Sequence, residues 1–175
     1  MNPWQQPDTI GMDGPAMQCD ADKSAVRWIR MADATRLQHV ACERVLAAAA
    51  LAIEHRGEFL IVLGGGDTPR ATYRTLRNGV TDWSRWHVYF GDERCLPSSD
   101  ALRNSTMAFD TLLSQVPIPA DQVHVIAGER SADAAAAAYL ALLQGIGHFD
   151  LVILGLGEDG HTASLVSGSR LGGPQ

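Results

Sequence analysis

The chain is short of cysteine, has no concentration of positive charge and lacks the standard nucleotide-binding fingerprints, and each shortage removes a class of function. Cys19, Cys42 and Cys95 are widely spaced and odd in number, which fits reduced thiols better than a disulfide framework and provides no metal-ligand spacing. No run of Lys or Arg is present and the formal charge is -6, which disfavours a general nucleic-acid surface. A local positive pocket for a phosphorylated metabolite stays open. A P-loop is excluded because no Gly-Lys-Ser/Thr ends the glycine run, and a dinucleotide fingerprint because the third glycine is missing at its spacing. The first 24 residues have neither a basic start nor an apolar centre, so they read as neither a signal peptide nor a membrane helix. Pro3, Pro7, Gly11, Gly14 and Pro15 give that segment the composition of a disordered tail.

What remains is sized for one domain, since 175 residues can enclose a substantial core. The expected organisation is a tail over residues 1–24, a single α/β domain over residues 25–168 and an irregular end over residues 169–175. A short strand is expected over Val26 to Met31, followed by a helix capped by Asp33. Leu37, Ala41, Val45, Ala48 and Ala52 recur at helical spacing until Gly57 stops the helix. The continuous apolar run Glu58-Phe-Leu-Ile-Val-Leu63 marks a central parallel strand covered on both faces. Pro69 then suits the first residue of a helix through Leu76. Trp86 to Phe90 reads as a strand, Ser105 to Leu113 as a helix after an Asn104 cap, and Val123 to Ile126 as a short strand. The alanine run Ala134 to Ala138 predicts a helix to about Gln144, and Phe149 to Leu154 the next strand. This βα alternation implies an open, doubly wound parallel sheet of the Rossmann-like three-layer α/β/α kind, incomplete at the C-terminus.

Three loops follow strands, which places all of them at the carboxyl edge of such a sheet, where ligands bind in open α/β folds. In Gly64-Gly-Gly-Asp-Thr-Pro-Arg70 the small residues let backbone N–H groups approach an anion ahead of a helix N-terminus, although an ordinary flexible turn would read the same way. In Gly91-Asp-Glu-Arg94, Arg94 could grip a phosphate or sugar oxygen while Asp92 or Glu93 orients it. A surface ion-pair turn is the plain alternative. Cys95 reads as a packed thiol, since no motif supplies it with a base. In Gly155-Leu-Gly-Glu-Asp-Gly-His161 the glycines permit a tight turn that sets His161 at the start of a helix. Histidine titrates near neutrality and can take a proton from water, with Asp159 to orient it, although a lone histidine is more often structural.

Together, Gly65-Gly-Asp-Thr-Pro69, Gly91-Asp-Glu-Arg94, Asn104-Ser105 and Leu154-Gly-Leu-Gly-Glu-Asp-Gly-His-Thr-Ala-Ser-Leu165 resemble the motifs of 6-phosphogluconolactonases, in order and over roughly Val26 to Leu165. Related glucosamine-6-phosphate deaminases share the glycine loop but carry an Asp-Glu-Tyr turn and a Gly-His-Ile-Ala-Phe string, so Arg94 and Thr162-Ala-Ser164 favour the lactonase. The resemblance implies hydrolysis of 6-phospho-D-glucono-1,5-lactone to 6-phosphogluconate in the oxidative pentose phosphate pathway, with no metal or organic cofactor. It implies His161 as general base and Asp159 as its orienting partner. Gly65, Gly66, Asp67 and Thr68 would form the phosphate loop, with Arg94 as a cationic clamp, and Asp92 and Asn104 would shape the pocket. Its implied partner is a small phosphosugar lactone, with no nucleic acid or membrane, for a cytoplasmic monomer or weak homo-oligomer. Two features depart from the family. Asp67 stands where relatives usually have Ser or Asn, and its carboxylate should weaken phosphate binding unless it turns away or pairs with Arg70. The end, Ser167 to Gln175, does not resemble the family's continuation, so a truncated homologue that binds a sugar phosphate without turnover is the alternative expectation.

Overall fold

The first regular element begins where the chain supplies its own cap. In the computed structural model, which describes residues 26–166, the Asp33 carboxylate accepts a hydrogen bond from the Arg36 N–H at 2.7 Å and α1 runs over Ala34–Arg56. Gly57 ends it at φ 79°, a left-handed conformation that glycine adopts without steric cost, and its N–H donates to the Ile53 carbonyl. Cys42, Val45, Ala49 and Ala52 form the buried stripe of the helix, spaced three and four apart.

That stripe lies against a parallel sheet. β1, Phe59–Leu63, pairs with β2, Trp86–Phe90, in the register Phe59↔Trp86 through Leu63↔Phe90. On its other side β1 pairs with β3, Leu151–Val152, giving the order β2-β1-β3. Alternation sends Phe59, Ile61 and Leu63 with Trp86, Val88 and Phe90 to one face, where they join α1, α2 (Asp67–Leu76) and α3 (Asn104–Thr111) in one buried cluster. Val62 and Tyr89 are buried outside that cluster, as is Ala135 of α4, Ala132–Leu143. The result is an α/β fold on a parallel sheet. All of these elements lie in the compact unit that begins at Met31.

Several elements differ from their sequence expectation, each for a local reason. Val26 to Met31 holds no strand. α2 starts at Asp67, so Pro69 is its third residue, still within the turn whose N–H groups need no helical partner. Asn104 opens α3 rather than capping it, because its side chain is engaged elsewhere. Val123 to Ile126 contributes one parallel bridge, Val88↔Val123. Phe149 to Leu154 keeps two strand residues, although Asp150 N–H to Leu60 O and Ile153 N–H to Val62 O, both 2.9 Å, carry the bonding one residue further each way. After His161 the chain makes a tight turn instead of a helix, closed by the Thr162↔Leu165 bridge. Ala163 sits there at φ 49°, a left-handed conformation that interrupts a right-handed helix. The tails expected over residues 1–24 and 169–175 lie outside the described residues.

Candidate active site

Where β1, β2 and β3 end, their three loops surround a cleft of about 570 Å³. Of the site residues predicted from sequence, Gly65, Gly66, Asp67, Thr68, Asp92, Arg94, Asn104 and His161 line it. Asp159 does not line it but meets His161, with Oδ1 2.5 Å from Nδ1. The His161 N–H also donates to Asp159 Oδ1 at 3.3 Å. Hydrogen bonding from the imidazole holds the Asp159 carboxyl below its ordinary range, so it is anionic at neutral pH. Both side chains face solvent, with 46% and 65% of their surface exposed.

The loops are tied to one another by side chains whose spacing in sequence is long. Asn104 Nδ2 donates to Asp92 O and Asp92 Oδ1, both at 3.1 Å, while Asn104 Oδ1 fills the space where a Gly65 side chain would stand. Gly65 is therefore glycine for contact, and the contact joins the first loop to the second. Ser164 Oγ donates to Asp92 Oδ2 at 2.7 Å, which joins the second loop to the third. Inside the third loop, Thr162 Oγ1 donates to Gly155 O at 2.9 Å, and the His161 ring occupies the place of a Gly157 Cβ.

Glu93 does not face the cleft. Its fully buried carboxylate accepts from Asn104 N–H (2.7 Å), Arg94 N–H (2.9 Å), Ser105 N–H (3.0 Å) and Ser105 Oγ–H (2.5 Å). Burial by itself raises this carboxyl, and the four hydrogen bonds, with Ser105 Oγ foremost, outweigh burial and hold it low. The carboxylate sits at the N-terminus of α3, where negative charge is stabilised. Arg103 Nε lies 3.3 Å from Glu93 Oε2, close enough for an ion pair though not aligned as a hydrogen bond. Its other nitrogens reach Glu129 Oε2 (2.8 Å) and Ile126 O (2.7 Å).

Positive charge in the cleft comes from two arginines. Arg94, expected from its motif, is joined by Arg44 of α1, and neither guanidinium has a hydrogen bond or ion pair among the described residues. Arg44 escaped sequence reasoning, although it lies three residues after Ala41 and seven after Leu37, both on the cleft wall. Helical spacing from those two positions was the available signal. Asp67, at the first turn of α2, has 99% of its side chain exposed and lies 3.9 Å from Arg70. Unpaired cations, loop amides and an imidazole–carboxylate pair on one cleft suit an anionic ligand that undergoes proton transfer. Among the described residues no group of three His, Cys, Asp or Glu could hold a metal ion.

A family model described as glucosamine-6-phosphate isomerases/6-phosphogluconolactonase matches residues 32–172. The probable 6-phosphogluconolactonase 3, chloroplastic, of Oryza sativa subsp. indica is 37% identical over 134 residues, covering 67% of this chain and 41% of the relative. The 6-phosphogluconolactonase of Treponema pallidum (strain Nichols) is 38% identical over 115 residues, 60% of this chain and 48% of that one. Among solved structures, the 6-phosphogluconolactonase of Thermotoga maritima superposes with a TM-score of 0.70 at 29% identity, covering 73% of this chain and 59% of its own. The Trypanosoma brucei 6-phosphogluconolactonase gives 0.69 at 28%, covering 79% and 62%. The chain thus spans about half the length of the curated relatives it matches.

Proposed function

Because the chain belongs to the family of glucosamine-6-phosphate isomerases and 6-phosphogluconolactonases, we propose that its cleft hydrolyses 6-phospho-D-glucono-1,5-lactone to 6-phosphogluconate, a step of the oxidative pentose phosphate pathway. The supporting observation is the meeting of a 2.5 Å His161–Asp159 pair with two unpaired arginines and a glycine loop at one sheet edge. His161, with Nδ1 engaged by Asp159, has Nε2 free to take a proton from water as the water oxygen attacks C1. The tetrahedral intermediate collapses by breaking the bond between C1 and the ring oxygen. His161 returns its proton to that oxygen, and the new carboxylic acid ionises.

Amides around Gly65, Gly66 and Thr68 hold the 6-phosphate at the start of α2, with Arg94 and Arg44 as cations. Asp92 and Asn104 shape the wall between loops, and Arg70, 3.9 Å from Asp67, offsets the charge of that carboxylate. The mechanism calls on no metal or organic cofactor. Arg94 and the Thr162-Ala-Ser164 string favour lactone hydrolysis over deamination of glucosamine 6-phosphate. The reading extends to a cytoplasmic monomer or weak homo-oligomer acting on a diffusible substrate rather than on nucleic acid or membrane. Among the described residues no helix is long and apolar enough to cross a membrane.

The test is hydrolysis of freshly prepared lactone, coupled to 6-phosphogluconate dehydrogenase with spontaneous hydrolysis subtracted. His161→Ala should lower the rate by about 10²–10⁴-fold, the usual size of general-base help. An unchanged rate in a folded His161→Ala sample would remove the histidine from the chemistry. The exposure of both His161 and Asp159 favours a second reading, binding of a sugar phosphate without turnover. Calorimetric binding of 6-phosphogluconate by a sample with only background hydrolysis would select it.

A further inference from the structure

The glycine loop leaves the sheet at Gly64, which is buried and has lost the ladder partners its strand enjoyed. A Cβ on Gly64 would stand 2.8 Å from the Ile153 carbonyl oxygen, so the residue is wedged against the end of the neighbouring strand. Both of its main-chain groups are taken by one hydroxyl. Tyr73 Oη donates to Gly64 O at 2.8 Å and accepts from Gly64 N–H at 3.0 Å. Tyr73 belongs to α2, the helix the glycine loop leads into, so its ring reaches back to the residue where the loop began. The side chain has no exposed surface, and water cannot take over either bond. Burial pushes the phenol's pKa up, against the opposing pull of its Gly64 hydrogen bond, so the hydroxyl keeps its proton wherever the protein is folded near neutrality.

A buried N–H or C=O left without a partner is costly, and here two such groups depend on one oxygen. The peptide at Gly64 fixes the starting direction of the chain, and the next two residues, Gly65 and Gly66, carry little steric preference of their own. We propose that Tyr73 is a positioning residue for the anion cradle: by holding both main-chain groups of Gly64 it sets the orientation in which the Gly65 and Gly66 amides face the cleft. This rests on the reading of that loop as the phosphate cradle. Tyr73 touches no substrate and acts only through Gly64.

The experiment compares Tyr73→Phe with Phe59→Leu, a core substitution at the far end of β1 that leaves Gly64 alone. Tyr73→Phe should raise KM for the phosphorylated lactone, and Kd for 6-phosphogluconate, about tenfold, with kcat within about twofold. Phe59→Leu should lower stability without moving either constant. Equal KM and Kd in the wild type and Tyr73→Phe would overturn the proposal. Amide hydrogen exchange at Gly65 and Gly66 separates it from the phosphate reading. If the wild type binds no 6-phosphogluconate, that reading fails. Faster exchange in Tyr73→Phe than in Phe59→Leu then still supports the positioning role, and equal exchange sinks it. Should Tyr73→Phe not fold, the Gly64 amide resonance of the wild type is followed during titration with 6-phosphogluconate. A shift supports the proposal, and an unmoved resonance overturns it.

Discussion

β1 and β2 offer a five-residue alternation to both sides of the sheet, yet the two sides are built differently. On one, Phe59, Ile61, Leu63, Trp86, Val88 and Phe90 disappear beneath α1, α2 and α3, and Phe59 and Trp86 meet edge to face at 4.8 Å. On the other, the buried positions are Val62 and Tyr89, and Tyr89 meets the half-buried Phe149 edge to face at 5.1 Å. His124 stacks on Tyr89 at 4.5 Å and lies parallel to His87 at 6.1 Å. α4 buries only Ala135, and its Leu140 is 65% exposed. The first face carries the apolar burial that drives folding, whereas the second is held largely by directed bonds. Tyr139 Oη, for example, accepts from Phe90 N–H at 2.9 Å and donates to His124 O at 3.1 Å. The lesson is that the glycine loop is supported from the packed side through Tyr73, while the Gly91–Arg94 loop depends on polar contacts from both sides.

The sharpest way to break this contrast is Trp86→Ala. It removes a fully buried ring and its contacts with Phe59 and Trp83, and should cost about 3–5 kcal/mol in urea-induced unfolding. A loss under about 1 kcal/mol would show that the first face is not the dominant core. Glu93→Gln comes next, at about 2–3 kcal/mol, because it replaces charge-assisted bonds at the start of α3 with neutral ones. The same carboxylate gives a signed pH dependence. Its native pKa is below the ordinary glutamate value near 4.3, so its stabilisation is present above that value and is lost as pH falls through the native one. Thermal midpoints should therefore drop more steeply with acid in the wild type than in Glu93→Gln, and parallel curves would contradict the assignment.

On the second face the effects are smaller. Burial, then the neighbouring His87, lowers the His124 pKa below its ordinary value near 6.5, while Asp121 acts in the opposite sense. The unfolded chain thus binds the proton first, and stability declines as pH falls from about 6.5 toward the native pKa. His124→Leu should flatten that part of the curve, and an unaltered slope would assign the decline to other groups. The smallest effect is expected from Leu140→Ala on α4, within about 0.5 kcal/mol, as for other exposed positions. A loss as large as that of Trp86→Ala would mean that the two faces contribute alike.

Much of this could be read from residue order. Asp33 and Gly57 bound α1 because each satisfies backbone groups within its own turn, and the short apolar runs mark β1 and β2 nearly to the residue. That the three loops share one sheet edge was legible for the same reason, since each follows a strand and carries its glycines and charges locally. Spacing leaves open whether Asp92 or Glu93 faces a ligand, and Glu93 is spent on the start of α3, eleven residues later, a partner that spacing could not reveal. Arg44 and Ser164 were missed because one comes to the cleft on a helix from an earlier part of the chain and the other through Asp92, 72 residues away. The helix expected after His161 gave way to a turn that holds Ala163 in a left-handed conformation, with Ser164 bonded to the second loop.

By itself, then, the sequence determined the identity of the local elements, the motifs and their place after strands, because caps, periodicity and glycine freedom act over a few residues. Only the tertiary structure decided which of the charged groups meet the cleft and which are consumed inside the protein. Contacts such as Tyr73 with Gly64, Asn104 with Gly65 and Asp92 with Ser164 join separate elements. Hydrogen bonds and ion pairs depend on distance and direction, and for groups far apart in the chain those are set by how the helices pack on the sheet.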